Sequence, residues 1–213
     1  LSGINKNHTY KFPNLINQKN KTSLKIRDGR EIINFENLEF SRIFMAWFIP
    51  NLNNQRNIIG LEILASVLSV GRNSKLVKLL KEDSNLVESV YVDVNAGELG
   101  GLFIIEASCE TKDIYLVEKL INKTVDDISN FKALTLDEIK KAINIVKSNY
   151  VFNLETSTQL SSFFGNELLW GRKSSIQNIE MHLKYWNNLD NYKEITKYIS
   201  EDKFTLIASP TKC

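Results

Sequence analysis

The chain has 213 residues, 43% of them hydrophobic and 24% charged, with a net charge of +2. That length buries a full core without disulfides or metals, and suits one fairly large domain. The longest apolar runs, "LFII" and "FMAWFIP", fall far short of the roughly 18 residues that cross a bilayer, and no charged-then-apolar leader opens the chain. The first residue is Leu1 rather than Met, which reads as a piece excised from a longer protein. Cys109 and Cys213 are too few for a disulfide framework. Read as free thiols, they fit a reducing compartment, cytoplasmic or of the organelle-matrix kind.

Charge is uneven. Residues 1–30 carry Lys6, Lys11, Lys19, Lys21, Lys25, Arg27 and Arg30 against Asp28 alone, a net +6, so the remainder is −4. The text "LSGINKNHTYKFPNLINQKNKTS" is Asn/Lys-rich and punctuated by Gly and Pro, which reads as a basic linker arm over residues 1–30. Residues 31–213 then form one domain.

"REIINF" and "FSRIFMAWFIP" read as strands. The second is apolar on both faces through its middle and is expected to be central, with Pro50 ending it. "QRNIIGLEILASVLSV" places Ile58, Leu61, Leu64, Ala65 and Leu68 at helical spacing. Its small residues, Gly60, Ala65, Ser66 and Ser69, predict a helix lying close to a sheet. After "VGRN", Asn73 or Ser74 is expected to cap a short helix with Leu76, Leu79 and Leu80 on one face. From Val87 the period becomes two, with Val90, Val92 and Val94 on one side and Ser89, Tyr91 and Asp93 on the other. "NAGELGG" is a hairpin loop, and "LFIIEASCE" a partner strand presenting Phe103, Ile105, Ala107 and Cys109.

The remainder reads as helical. "DIYLVEKLINKTVDDIS" carries a stripe of Ile114, Val117, Leu120, Ile121 and Ile128. "TLDE" predicts a capping box between Thr135 and Glu138, opening a helix with Ile139, Ile143, Val146 and Leu154. "TSTQLSSFFGNELLWG" follows, closed by Gly171, then "SSIQNIEMHLKYW" and "NYKEITKYI". "KFTLIAS" is a last strand. The order predicts an α+β domain, a mostly antiparallel sheet of five to six strands with helices packed on it.

No catalytic constellation emerges from the residues. The two histidines are His8, in the arm, and His182 in "IEMHLKYW". Neither belongs to a His-Glu-x-x-His or His-x-x-Glu-His helix, and zinc requires three or four converging ligands. His182 reads as an ordinary helix residue. No Gly-x-Ser-x-Gly elbow or phosphate loop occurs, and Glu82–Asp83 are neighbours in sequence rather than an acid–base pair.

The ordered parts resemble the second domain of the insulinase/pitrilysin family of zinc metallopeptidases, which includes the mitochondrial processing peptidases. The resemblance runs over about residues 30–210. It is carried by the strand ending at Pro50, the Leu68–Gly71–Ser74 pattern closing a helix, and the Leu-rich turn Leu76–Leu80. Gly100–Gly101–Phe103, the helices from Thr135 to Ile199, and "FTLIASP" ending at Pro210 complete it. No single motif is specific; the order is. It implies a half-clamshell metallopeptidase domain that walls a peptide-degrading or processing chamber. The zinc-binding His-x-x-Glu-His helix would lie in a preceding catalytic-type domain or in a homologous subunit of a homo- or heterodimer. This piece would then hold no cofactor and be inactive alone.

Some members hold the substrate main chain with an Arg and a Tyr seven residues apart. Those positions fall on Lys81 and Glu88. Lys lacks the bidentate fork, and Glu replaces a phenol with a negative charge. The short loop Gly71, Arg72 and Asn73 stands where processing peptidases carry a glycine-rich substrate loop. These five residues are the candidate peptide contacts. A structural scaffold of the kind found among respiratory-complex core subunits is the alternative. A nucleic-acid partner for the basic arm ranks last, because the body is net acidic and lacks an aromatic-basic strand face. Neither nucleic acid nor membrane is expected as a partner.

Overall fold

The computed structural model describes residues 28–169, 176–200 and 202–211; the basic arm, Gly171 and Cys213 therefore lie outside the described residues, but for Asp28, Gly29 and Arg30 of the arm. Five strands form one sheet: β1 (Gly29–Phe35), β2 (Ser41–Ile49), β3 (Ser89–Ala96), β4 (Gly101–Cys109) and β5 (Lys203–Pro210). Their order is β1-β5-β2-β4-β3. β1 runs parallel to β5, and every other pair is antiparallel. β1 starts at Gly29, so Gly29 and Arg30, expected in the arm, belong to the sheet.

β2 is central, with β5 and β4 at its sides. Its residues alternate: Ile43, Met45, Trp47 and Ile49 are buried, while Phe44, Ala46 and Phe48 are half-buried. β4 repeats this, with Phe103, Ile105, Ala107 and Cys109 buried. The pleat therefore puts one apolar row under the helices and leaves a second, half-exposed apolar row on the open face. Ser41, the polar member of the buried row, is satisfied by Oγ contacts to Thr111 at 2.9 Å and Ser209 at 3.1 Å.

Six α-helices are described: α1 (Gln55–Ser69), α2 (Ile114–Ser129), α3 (Leu136–Phe152), α4 (Ser157–Leu169), α5 (Ile176–Tyr185) and α6 (Lys193–Ser200). α1 is buried nearly all round; from Asn57 to Leu68 only Glu62 is not fully enclosed. Such a helix lies between other elements, here β3, α3, α5 and α6, rather than on a surface. Gly60 does not face the sheet as expected. A methyl there would stand 2.5 Å from Cε2 and Cζ2 of Trp186, so the glycine admits an indole from the helix layer. Ser69 is the small residue that reaches the sheet, where the Val92 N–H donates to its Oγ at 3.1 Å.

The predicted short helix after Gly71 is π-helical over Val77–Glu82, with the Asp83 N–H donating to the Lys78 carbonyl. Leu76 and Leu80 are buried and Leu79 partly so. The wider π turn brings the chain round to β3 with one residue more than an α turn allows. Ser74 does not cap it: its Oγ donates to the Gly71 carbonyl at 2.7 Å. The capping box at Thr135–Glu138 is present. α3 ends at Phe152, which leaves Leu154 in the following turn.

Candidate functional site

The five candidate contacts collect at one corner, where α1 ends and β3 begins. Gly71 adopts φ +88, a left-handed conformation that costs glycine nothing, and reverses the chain out of α1. Arg72 and Asn73 are exposed on that loop. Gly71, Arg72, Lys81, Tyr91 and the edge of β3 line an open depression of about 370 Å³. Lys81 and Glu88 are brought together, though not as two side chains. The Lys81 Nζ donates to the Glu88 backbone carbonyl at 2.6 Å, while the Glu88 N–H continues the ladder onto the Ser108 carbonyl. The ammonium thus staples the π-helical turn to the start of β3. Lys75 likewise ties this corner to α3, with its Nζ 2.6 Å from Glu138 Oε1. Burial pushes the Glu138 carboxyl up, but hydrogen bonds from Lys75 and Thr135 outweigh it and hold the group below its ordinary range.

Next to this corner lies a polar cavity that composition and motif reasoning did not single out. It occupies about 300 Å³ between α1, β3 and α3 and is lined by Glu62, Ser66, Asp93, Asn149, Tyr150 and Asn153 with aliphatic neighbours. The Tyr150 hydroxyl donates to Glu62 Oε2 at 2.9 Å. Burial pushes the Glu62 carboxyl up to about 7, with Asp93 adding to the rise and the Tyr150 bond opposing it. Ser66 is 5% exposed, and its buried Oγ has no hydrogen-bond partner. The signal for this site was available: Glu62 is the lone charge in "IIGLEILASVL".

Zinc does not fit the described residues. No group of three His, Cys, Asp or Glu side chains among them could hold a metal. His182 lies on α5, where burial and the nearby Arg56 cation hold its imidazole below the ordinary value. Among the described residues no helix is long and apolar enough to cross a membrane. Cys109 is a free, buried thiol, pushed up to about 11 by burial and by Asp113 and Glu110; such a thiol is a packing residue rather than a nucleophile.

A one-sided mixed sheet, helices on its other face, and an open corner at the α1–β3 edge define a half-clamshell α+β domain of the kind found in metallopeptidases. The profile described as Peptidase M16 inactive domain matches residues 1–146, and the chain belongs to that family: a non-catalytic domain of insulinase-type metallopeptidases. A Streptomyces coelicolor protein named as an uncharacterized zinc protease is 29% identical over 118 residues, which is 55% of this chain and 26% of that protein. A protease from Helicobacter pylori shares the fold at a TM-score of 0.72 and 14% identity, over 85% of this chain and 44% of that one. A chain of complex III2 from Candida albicans does so at 0.74 and 17%, over 86% and 46%. The chain thus spans about a quarter of the Streptomyces protein and less than half of either solved chain.

Proposed function

We propose that this chain is the C-terminal, non-catalytic domain of an insulinase-like zinc metalloendopeptidase and forms part of the wall of its peptide chamber. The zinc and the bond-breaking groups belong to a preceding catalytic-type domain or to a homologous subunit. The observation that carries the reading is the one-sided sheet. Phe44, Phe48, Leu102 and Ile104 form a half-buried apolar row on the face away from the helices, with the exposed Arg42 near Glu106 beside it. A half-exposed apolar row with no helix over it suits an interaction surface, and an unfolded peptide is an occupant it fits. Gly71, Arg72 and Asn73 reach the same substrate from the rim. Lys81 and Glu88 serve as a structural staple there, because the ammonium is spent on the chain's own carbonyl. A reducing compartment suits the free Cys109.

The likeness to a complex III chain supports a second reading, a structural scaffold of the same descent. One experiment separates them. The isolated chain is expected to bind no stoichiometric zinc and to cleave no peptide. Mixed with the domain encoded upstream in its gene, or with a homologous subunit bearing His-x-x-Glu-His, it is expected to form a complex that cleaves unfolded peptides and stops when a chelator is added. Chelator-sensitive cleavage by the isolated chain refutes both readings. A stable complex without cleavage, from a gene lacking the motif, establishes the scaffold.

A further inference from the structure

The cavity between α1, β3 and α3 has no role in that reading. It is walled by Ala65, Val92, Val94 and Val146, and its polar groups are Glu62, Tyr150, Asn149, Asn153, Ser66 and Asp93. Among the described residues that line it there is no Lys, Arg or His. Its volume of about 300 Å³ lies at the low end for small-ligand sites. Two features are costly for a site with no occupant. A glutamate sits among aliphatic side chains, and the Ser66 hydroxyl, 5% exposed, is left without a partner. Buried polar groups are ordinarily satisfied, so the Ser66 hydroxyl awaits a partner from outside the chain, while Glu62 has the Tyr150 hydroxyl as a donor and no cation beside it in the cavity lining.

We propose that this cavity binds an alkylguanidinium group, with Glu62 as the counter-ion and the aliphatic walls packing along the methylene stem. Guanidinium fits better than ammonium for three reasons. Its five donors lie in a plane and can meet Glu62, the Asn149 and Asn153 side-chain carbonyls and Ser66 Oγ together. It is more weakly hydrated, so entering a half-enclosed site costs less. Its stem is apolar, as the walls are. Asp93 sits at the edge on β3 and adds long-range attraction; its own Oδ1 already accepts from the Val94 N–H at 2.9 Å.

Binding must be coupled to a proton. Glu62 is half-protonated near pH 7, and the cation binds its anionic form. Tyr150 from α3 donates to Glu62 across the cavity; Asp93, which alternates on β3 with Val92 and Val94 of the wall, acts on it through its charge alone. Affinity therefore rises with pH up to about 7 and levels off above it.

The test uses the 213-residue chain and agmatine, with putrescine, which has the same charge and stem but no guanidinium, and isobutanol as cationic and neutral controls. Binding is followed by the ¹³C shift of the Glu62 carboxyl. The expected result is saturable binding of agmatine in the millimolar range, tighter than putrescine, and about fivefold tighter at pH 7 than at pH 6. Glu62→Gln, which keeps an acceptor for Tyr150, is expected to lose about tenfold or more; Asp93→Asn is expected to lose less. An arginine-containing pentapeptide run beside agmatine identifies the source: tighter peptide binding assigns a peptide side chain, and binding of agmatine alone assigns a free small molecule. Agmatine no better than putrescine, or undiminished affinity in Glu62→Gln, overturns the proposal. The readout requires no zinc and no cleavage, so its failure leaves the chamber-wall reading untouched.

Discussion

Gly60→Ala sets two known effects against each other. In the interior of an exposed helix, replacing glycine by alanine stabilises by about 1 kcal/mol. Here the new methyl would stand 2.5 Å from Cε2 and Cζ2 of Trp186 and 2.9 Å from Cη2. Carbon atoms rest about 3.5–4.0 Å apart, so the indole must retreat by roughly 1 Å. It has nowhere to go. Trp186 is fully buried, packs edge-on against Tyr185 and Tyr192, and donates from Nε1 to the Arg56 carbonyl at 2.7 Å. Overpacking costs about 1–3 kcal/mol, and a buried N–H pulled off its acceptor costs about 1–3 kcal/mol more. Gly60→Ala is therefore expected to destabilise by about 3 kcal/mol net of propensity. Urea unfolding followed by circular dichroism should show a lower midpoint at unchanged slope. Trp186→Phe should cost less in the Gly60→Ala background than alone, because the smaller ring relieves the clash. A midpoint that rises with Gly60→Ala would refute the packing argument outright.

The Glu62 carboxyl titrates near 7 when folded, against 4.5 as a free group. The native state holds this proton more tightly, so the penalty is absent below pH 4.5, grows through the window, and is complete above 7. That gap, about 2.5 pH units, corresponds to a ceiling of about 3 kcal/mol. Glu62→Gln should thus be more stable than the parent at pH 8 and converge with it at pH 4.5; parallel profiles across that range contradict the burial argument. Thr135→Ala removes the hydroxyl that accepts the Glu138 N–H, while the N–H of residue 135 still donates to the Glu138 carboxylate; it should cost about 1 kcal/mol, whereas Thr135→Ser should be near neutral, and thermal unfolding measures both. Ser69→Ala takes away the acceptor that the Val92 N–H uses at the sheet edge. Amide exchange at Val92 should accelerate, with about 1 kcal/mol lost in stability; unchanged exchange there means Ser69 does not hold the edge.

What the sequence showed was what short-range pattern encodes. The alternation in β2 and β4, the stripe on α2 and the capping box at Thr135 each depend on residues within a few positions of one another. The π-helical turn at Val77–Glu82 was hidden, because Leu76, Leu79 and Leu80 satisfy α and π spacing alike. Gly60 was legible as a point of close approach but not its partner, since Trp186 lies 126 positions away. The parallel pairing of β1 with β5 has no local mark either. The candidate corner at Gly71–Asn73 came from an ordered resemblance. The Glu62 cavity needed α3 folded back so that Tyr150 met a residue 88 positions earlier, and no window along the chain contains both.

β5 is the last of the five strands to leave the ribosome, yet it lies inside the sheet, with β1 on one flank and β2 on the other. Until it arrives, β1 has no neighbour and β2 keeps a vacant side over the six residues from Arg42 to Trp47. A half-synthesised chain is therefore a slot awaiting its key, and premature termination leaves a product that cannot close. Emergence of β5 and closure of the sheet become one event, sealed where the Thr211 N–H meets the Phe35 carbonyl at 3.0 Å.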